Sequence, residues 1–370
     1  MTDTLFSTDR LVRARRAAAV AELDALIVTP GADLRYLTGY EAYPLERLTC
    51  LLLPVNGDPV LIAPQLEVPA AYASPAGQLG IEIAGWEETQ NAYEFAAARL
   101  PRGVHVIGVD NHMWAEKLDG FHDAMPGVRH ELAGPVLSDL RMRKTPAEIE
   151  ALRLAADAID RVHARMGEWL RAGRTEREVG QDIAEAIVEE GHARMDFVIV
   201  ASGPNGASPH AEVSDKVIER GEPVVVDIGG VMPDGYCSDS TRNYVVGRPP
   251  ADYLDYFEVL LAAQIAQTEA VRPGITADEL DAIGRDMIAE AGYDKYFIHR
   301  TGHGIGLETH EEPYIVTGSE RPLEPGMAFS VEPGIYLPDI HGARIEDICV
   351  CTETGGDRLN RTSRELQILR

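Results

Sequence analysis

Gly221-Glu-Pro-Val-Val-Val-Asp227-Ile-Gly229 sets one carboxylate inside a run that is otherwise apolar on both faces of a strand. Successive strand residues point to opposite faces, so a run apolar at every position reads as buried on both sides, and Asp227 is buried with it. A buried carboxylate without a partner costs several kcal/mol, so this acid needs a cation or donors. The pattern returns 105 positions later in Gly326-Met-Ala-Phe-Ser-Val-Glu332-Pro-Gly334, with Glu332 in the place of Asp227.

The repetition extends outward from both stretches. Asp239 lies on a return strand, Tyr236 to Val246, after the turn Pro233-Asp-Gly235, and Glu346 lies near its counterpart in Arg344-Ile-Glu-Asp347. Upstream, Leu170-Arg-Ala-Gly-Arg-Thr-Glu-Arg-Glu178 matches Val271-Arg-Pro-Gly-Ile-Thr-Ala-Asp-Glu279 at an offset of 101. Each contains a capping box, Thr175/Glu178 and Thr276/Glu279, and each following helix stops at a glycine, Gly191 and Gly292. Each half therefore reads as two helices and then a hairpin with one acid on each arm. Two such halves related by a pseudo-twofold would bring four carboxylates toward one point. Such a cluster repels itself unless metal neutralises it. Arg242 and Arg344 offer ion pairs as the competing explanation, which leaves the duplication unaccounted for.

Nitrogen donors come from His299-Arg-Thr-Gly-His303-Gly-Ile-Gly-Leu-Glu-Thr-His310-Glu-Glu-Pro313, where glycines at 302, 304 and 306 let backbones approach closely around His303. One imidazole with four carboxylates is an oxygen-rich set that suits Mn²⁺ or Co²⁺ and, less well, Zn²⁺. Shared carboxylates in this number fit two ions about 3.5–4 Å apart.

The rest of the chain frames this region. Residues 1–140 read as a smaller α/β domain: a helix from Ser7 to Leu23, a buried strand Ala25 to Thr29, and two strands around the hairpin signal Asn56-Gly57. A further strand, Val104 to Val109, precedes a helix near His112 to Met125. Thr145-Pro-Ala-Glu148 opens a second domain, 145–370, with a capping box and a long helix reaching about Ala172. The full chain of 370 residues carries a net charge of −26, which argues against nucleic acid and anionic membranes as partners. No apolar stretch nears the ~18 residues of a spanning helix and no cleavable leader is evident at the start, so a cytoplasmic protein is expected. Only four of the 34 basic residues are lysine, a balance that suits concentrated salt or an ordinary acidic protein. Cys349 and Cys351 read as free thiols on one strand face.

Asp227, Asp239, His303, Glu332 and Glu346 in these contexts resemble the metal site of the pita-bread metallopeptidases, the family of methionine aminopeptidase, aminopeptidase P and prolidase. Ala32-Asp-Leu-Arg-Tyr-Leu-Thr-Gly-Tyr40 is similar to the small domain that precedes the catalytic one in prolidases, aminopeptidases P and creatinases. The resemblance implies an α/β chain with a creatinase-like N-terminal domain and a duplicated pita-bread domain, acting as a homodimer. It implies hydrolysis of the Xaa-Pro bond at a peptide's N-terminus with two divalent ions. Asp227 would chelate one ion, Asp239 and Glu346 would bridge, His303 and Glu332 would complete the second, and Glu332 would be the general base. By the same resemblance His210 contacts substrate near the scissile bond, His310 stabilises the tetrahedral intermediate, His299 lines the proline pocket, and Arg344 orients carboxylates. The strand Asp239-Ser-Thr-Arg-Asn243 departs from the family's usual Asp-Met-Thr-Arg-Thr without touching the ligand. No arginine stands out as the anchor for a dipeptide's terminal carboxylate, so prolidase and aminopeptidase P both stand, with prolidase preferred for the short chain. A metal-dependent lyase or a non-catalytic binding protein on the same scaffold is the remoter alternative.

Overall fold

The computed structural model describes residues 5–370, and contacts divide the chain into two compact units, Met1–Arg141 and Met142–Arg370. The first unit runs α1 (Thr8–Val20), β1 (Ala25–Val28), α2 (Ala32–Thr38), β2 (Cys50–Pro54), β3 (Val60–Pro64), α3 (Val68–Ala73), β4 (Glu82–Trp86), α4 (Ala92–Ala97), β5 (Val106–Val109), α5 (Ala115–Ala124), β6 (Arg129–Leu132) and α6 (Gly134–Met142). Its six strands form one sheet in the order β4-β3-β2-β1-β5-β6. The strands flanking Asn56-Gly57 do pair antiparallel, Leu52 opposite Val60. Apolar residues of β1, β2, β3 and β5 pack with Trp86, Phe121 and Met125 into one core. The edge strand β6, Arg-His-Glu-Leu, carries no apolar run and had no sequence signal.

The second unit runs α7 (Pro146–Ala164), α8 (Glu176–Glu189), β7 (Arg194–Ser202), β8 (Pro223–Val231), β9 (Cys237–Val246), α9 (Ala251–Ala270), α10 (Ala277–Glu290), β10 (Gly302–Gly304), β11 (Glu311–Ile315), β12 (Ala328–Val331), β13 (Gly334–Leu337), β14 (His341–Arg344), β15 (Asp347–Thr352), β16 (Gly355–Arg358) and β17 (Gln367–Leu369). Two main sheets result, β17-β9-β8-β7 and β11-β10-β12-β15-β16, with β13-β14 as a separate ribbon. Reciprocal capping boxes form at Thr145/Glu148, Thr175/Glu178 and Thr276/Glu279.

Helix α7 stops at Ala164 rather than near Ala172. A 3₁₀ turn, Met166–Glu168, replaces its last turns and delivers Met166, Trp169 and Leu170 into the core of the first half. That core joins Ile159 and Val162 of α7, Ile183 and Ile187 of α8, and Val224, Val226 and Ile228 of β8. Because side chains alternate along a strand, Asp227 faces the other way, with Val225 and Gly229.

The second half departs from a simple hairpin. β12 and β15 pair antiparallel, Val331 opposite Asp347, but Glu332 follows the end of one and Glu346 precedes the start of the other. Pro333 lacks the N–H needed to continue the ladder, and the chain makes the β13-β14 excursion before returning. Cys349 and Cys351 sit as free buried thiols in the apolar cluster with Leu280, Phe329 and Val331. Among the described residues no helix is long and apolar enough to cross a membrane.

Candidate metal centre

In the β8-β9 ladder Asp227 lies opposite Thr241 and Gly229 opposite Asp239, so the two acids are diagonal neighbours on one face. Glu332 and Glu346 arrive from the ends of β12 and β15, and His303 from β10, which pairs with β12 through Gly304 and Phe329. Ligand-capable atoms of Asp227, Asp239 and Glu346 lie within 4.8 Å of one another, as do those of His303, Glu332 and Glu346, and those of Asp239, His303 and His310. All five residues expected around metal thus meet, with His310 beside them.

The surrounding bonds fix how each group is presented. His303 Nδ1 lies 3.1 Å from the Gly304 carbonyl, which can only accept, so a neutral ring carries its proton there and turns the Nε2 lone pair inward. That Nε2 is 3.2 Å from Glu332 Oε1 and 3.7 Å from Asp239 Oδ2. Ser330 Oγ accepts from the His303 amide (3.0 Å) and donates to Glu332 Oε1 (3.1 Å). Close approach is why glycine stands on either side of His303: a Cβ at Gly302 would run into the Ser330 carbonyl, and one at Gly304 into that of Glu312. Arg344 donates to Asp227 Oδ2, to the Tyr336 hydroxyl (2.7 Å), to the Pro209 carbonyl (3.2 Å) and to Thr241 Oγ1 (3.2 Å). Thr241 in turn donates to Glu346 Oε2 (2.8 Å).

The four acids, His303 and Arg344 line a cavity of ≈ 690 Å³ whose wall also includes Phe197, Ile199, His210, His299, Arg300 and His310. His299 has both nitrogens occupied: Nδ1 donates to the Arg300 carbonyl (2.7 Å), and Nε2 accepts from the Tyr336 hydroxyl (2.9 Å). His210 and His310 are exposed, and the His310 ring packs edge-on against His303 at 3.9 Å between centroids.

The family model for metallopeptidase family M24 matches residues 150–353, and that for the creatinase/prolidase N-terminal domain matches residues 10–143. The chain belongs to metallopeptidase family M24. A probable dipeptidase PepE of Mycobacterium tuberculosis is 50% identical over 360 residues, which cover 97% of this chain and 96% of that protein. An Xaa-Pro dipeptidase of Lactobacillus helveticus is 36% identical over 357 residues, 94% of this chain and 95% of the relative. The crystal structure of a recombinant prolidase from Thermococcus sibiricus superposes with a TM-score of 0.92 at 35% identity, covering 100% of both chains. The pita-bread fold and the creatinase-like N-terminal domain, expected from the resemblance, are borne out.

Electrostatics show how well this M24 chain's acids fit divalent cations. Four carboxylates converge, and Arg344 is the arginine that bonds to one of them. Arg242, the other candidate partner, is directed elsewhere, pairing with Asp347 at 2.6 Å and donating to the Glu346 backbone carbonyl. Asp227 Oδ1 is buried with no hydrogen-bond partner. Burial, then the charges of the neighbouring acids, push Asp239 and Glu346 well above the usual carboxylate range. Glu332 is also raised by burial, but hydrogen bonding and the surrounding positive charge, that of Arg344 included, outweigh this and bring it down to about 2. An orphaned acceptor, surplus negative charge and an inward imidazole lone pair are what an oxygen-rich divalent site needs. Desolvation of the ring where it packs in the cavity, then neighbouring positive charge, lowers His310 to about 4, so it is neutral near pH 7 although the residue as a whole is exposed to the cavity mouth.

Sequence reasoning missed Tyr336, Thr241 and Ser330, whose hydroxyls connect the acids to Arg344, His299 and His303. Thr241 shares the parity of Asp239 on a strand, which was the one available signal; Tyr336 had none.

Proposed function

We propose that this protein hydrolyses the Xaa-Pro bond at the N-terminus of short peptides, dipeptides foremost, with two divalent ions held by Asp227, Asp239, His303, Glu332 and Glu346. The observation that carries the reading is the meeting of four carboxylates and one imidazole nitrogen, with Arg344 bonded to Asp227, along a cavity of a size suited to a small peptide. Asp239, Glu346 and His303 each belong to two of the three ligand groups, and of these only the carboxylates have two oxygens to share, so Asp239 and Glu346 would be the bridging acids. Asp227 would complete one ion's set, and His303 with Glu332 the other's. Divalent ions held by these residues would supply Lewis-acid polarisation of the scissile carbonyl and a water acidified enough to attack at neutral pH. Mn²⁺ or Co²⁺ suits the set better than Zn²⁺.

The chain's own groups do the rest. Glu332 takes the proton of the attacking water on its carboxylate and passes it to the departing prolyl nitrogen. His310, neutral and exposed at the cavity, donates its N–H to the oxyanion that develops on the scissile carbonyl, with His210 contacting the substrate nearby. His299, its ring fixed from both nitrogens, forms part of the wall against which the proline ring packs. Arg344 holds Asp227 directly and Glu346 through Thr241. Proline at the second position presents a fixed ring and no N–H, so it needs a pocket of this kind. The names of the Lactobacillus helveticus and Thermococcus sibiricus relatives agree with this reading.

Steady-state kinetics on Met-Pro and Met-Ala test it. Met-Pro should be cleaved at least tenfold faster in kcat/KM, about 1.4 kcal/mol of better orientation. Equal cleavage of the two would point to a general aminopeptidase and remove the role given to His299.

A further inference from the structure

His210 reaches the cavity with no side-chain hydrogen bond of its own among the described residues, so the backbone that carries it has to place it. That backbone leaves β7 at Ser202 and runs through a short 3₁₀ turn, Gly203–Ala207, before it returns at Ser214. Pro209, the residue before His210, gives its carbonyl to Arg344 (3.2 Å), which ties the middle of the loop to the acids.

Both ends of the loop meet one buried carboxylate. Glu176 is the first residue of α8, and because Thr175 and Glu178 cap that helix, the fully buried Glu176 side chain is left to serve the loop. Its Oε1 accepts from the Ser202 amide (2.7 Å) and the Ser202 hydroxyl (2.7 Å), and its Oε2 from the Ser214 hydroxyl (2.6 Å). The Asn205 side-chain amide donates to both oxygens, at 3.1 and 2.9 Å. Lys216 closes the arrangement from behind, its Nζ donating to Ser202 Oγ (3.0 Å) and its backbone amide to Ser214 Oγ (3.1 Å), so each hydroxyl spends its one proton on Glu176. Glu176 is thus an acceptor ringed by donors. A carboxylate fills that role and a glutamine does not, because its amide would turn N–H groups toward other donors.

Holding the residue that launches a loop and the residue that closes it removes much of the freedom of everything between. His210 lies in that interval, and Glu176 does not itself line the cavity. We infer that Glu176 is a positioning residue for His210, clamping the two ends of the loop so that the imidazole stands beside the scissile bond. The inference rests on the role given to His210 in the Xaa-Pro reading above and deepens it.

A double-mutant cycle on the metal-loaded enzyme, with Met-Pro as substrate, tests the clamp. Glu176→Gln should lower kcat/KM about tenfold, and Ser214→Ala, which removes one prong with less disturbance, about threefold. In a His210→Ala background neither should lower it further, whereas a generally loosened fold would cost activity in both backgrounds. Metal content by elemental analysis should stay at the wild-type level. Amide hydrogen exchange should quicken across residues 203–213 while β8 and β9 keep their protection. Additive losses, loss of metal, unchanged exchange in the loop or full activity of His210→Ala would each overturn the clamp. Should Glu176→Gln fail to fold, Ser214→Ala decides by the same cycle. A wild type that cleaves Met-Ala and not Met-Pro would instead defeat the Xaa-Pro reading, and the cycle run on Met-Ala would still judge the clamp.

Discussion

Asp239 is the residue on which the centre turns, because it is buried within ligand distance of Asp227 and Glu346 and also of His303 and His310. Asp239→Asn removes one negative charge at almost constant shape, so bound metal and peptidase activity should fall together, by elemental analysis and by assay on Met-Pro. Metal retained at full stoichiometry would show that Asp239 is not a ligand. His310→Ala should behave differently, lowering kcat on the order of a hundredfold with metal content unchanged, as expected for loss of one transition-state donor. At this scale the acids were legible because a carboxylate in an apolar strand is an anomaly with few explanations. Tyr336 was not, because a hydroxyl in an apolar-rich strand acquires meaning only when folding brings it against Arg344 and His299.

Elements set the precision of the site. Gly302→Ala would force β10 away from the Ser330 carbonyl, displacing His303, so the variant should lose metal affinity and unfold at lower temperature. An unchanged melting temperature and metal content would contradict the close approach. The seam between α7 and β9 gives a second test. His163 is buried, with Nδ1 accepting from the Tyr244 hydroxyl (2.9 Å) and Nε2 donating to the Ser240 carbonyl (3.2 Å), and burial, then Arg242, lower its pKa from 6.5 to about 3. The folded value lies below the unfolded one, so the unfolded chain takes up the proton first. This contribution to stability is complete above about pH 6.5 and is lost as pH falls toward 3, with a slope approaching 1.4 kcal/mol per unit. Urea unfolding of His163→Gln should show a shallower decline between pH 6.5 and 5 than the wild type; parallel curves would refute the assignment. Capping boxes made α8 and α10 readable in the sequence, and a run apolar on both faces did the same for β8. The early end of α7 and the β13-β14 ribbon were not, since both answer to what the chain packs against.

The whole molecule carries a net charge of −26 with four lysines, and this excess is a property of the chain rather than of the site. Screening of the self-repulsion should raise the unfolding temperature steadily from about 0.1 M to several molar KCl, and a flat or falling curve would mark an ordinary acidic protein. The internal duplication of the second unit was legible from a repeat of caps, glycine stops and acids, because each half must solve the same packing problem. The central claim is that the duplicated halves meet to hold two catalytic ions, and metal titration of the chelated protein tests it most directly. Activity on Met-Pro should vanish on exhaustive chelation and return with Mn²⁺ or Co²⁺, saturating near two equivalents per chain. Full activity in protein shown by elemental analysis to be free of metal would contradict the account.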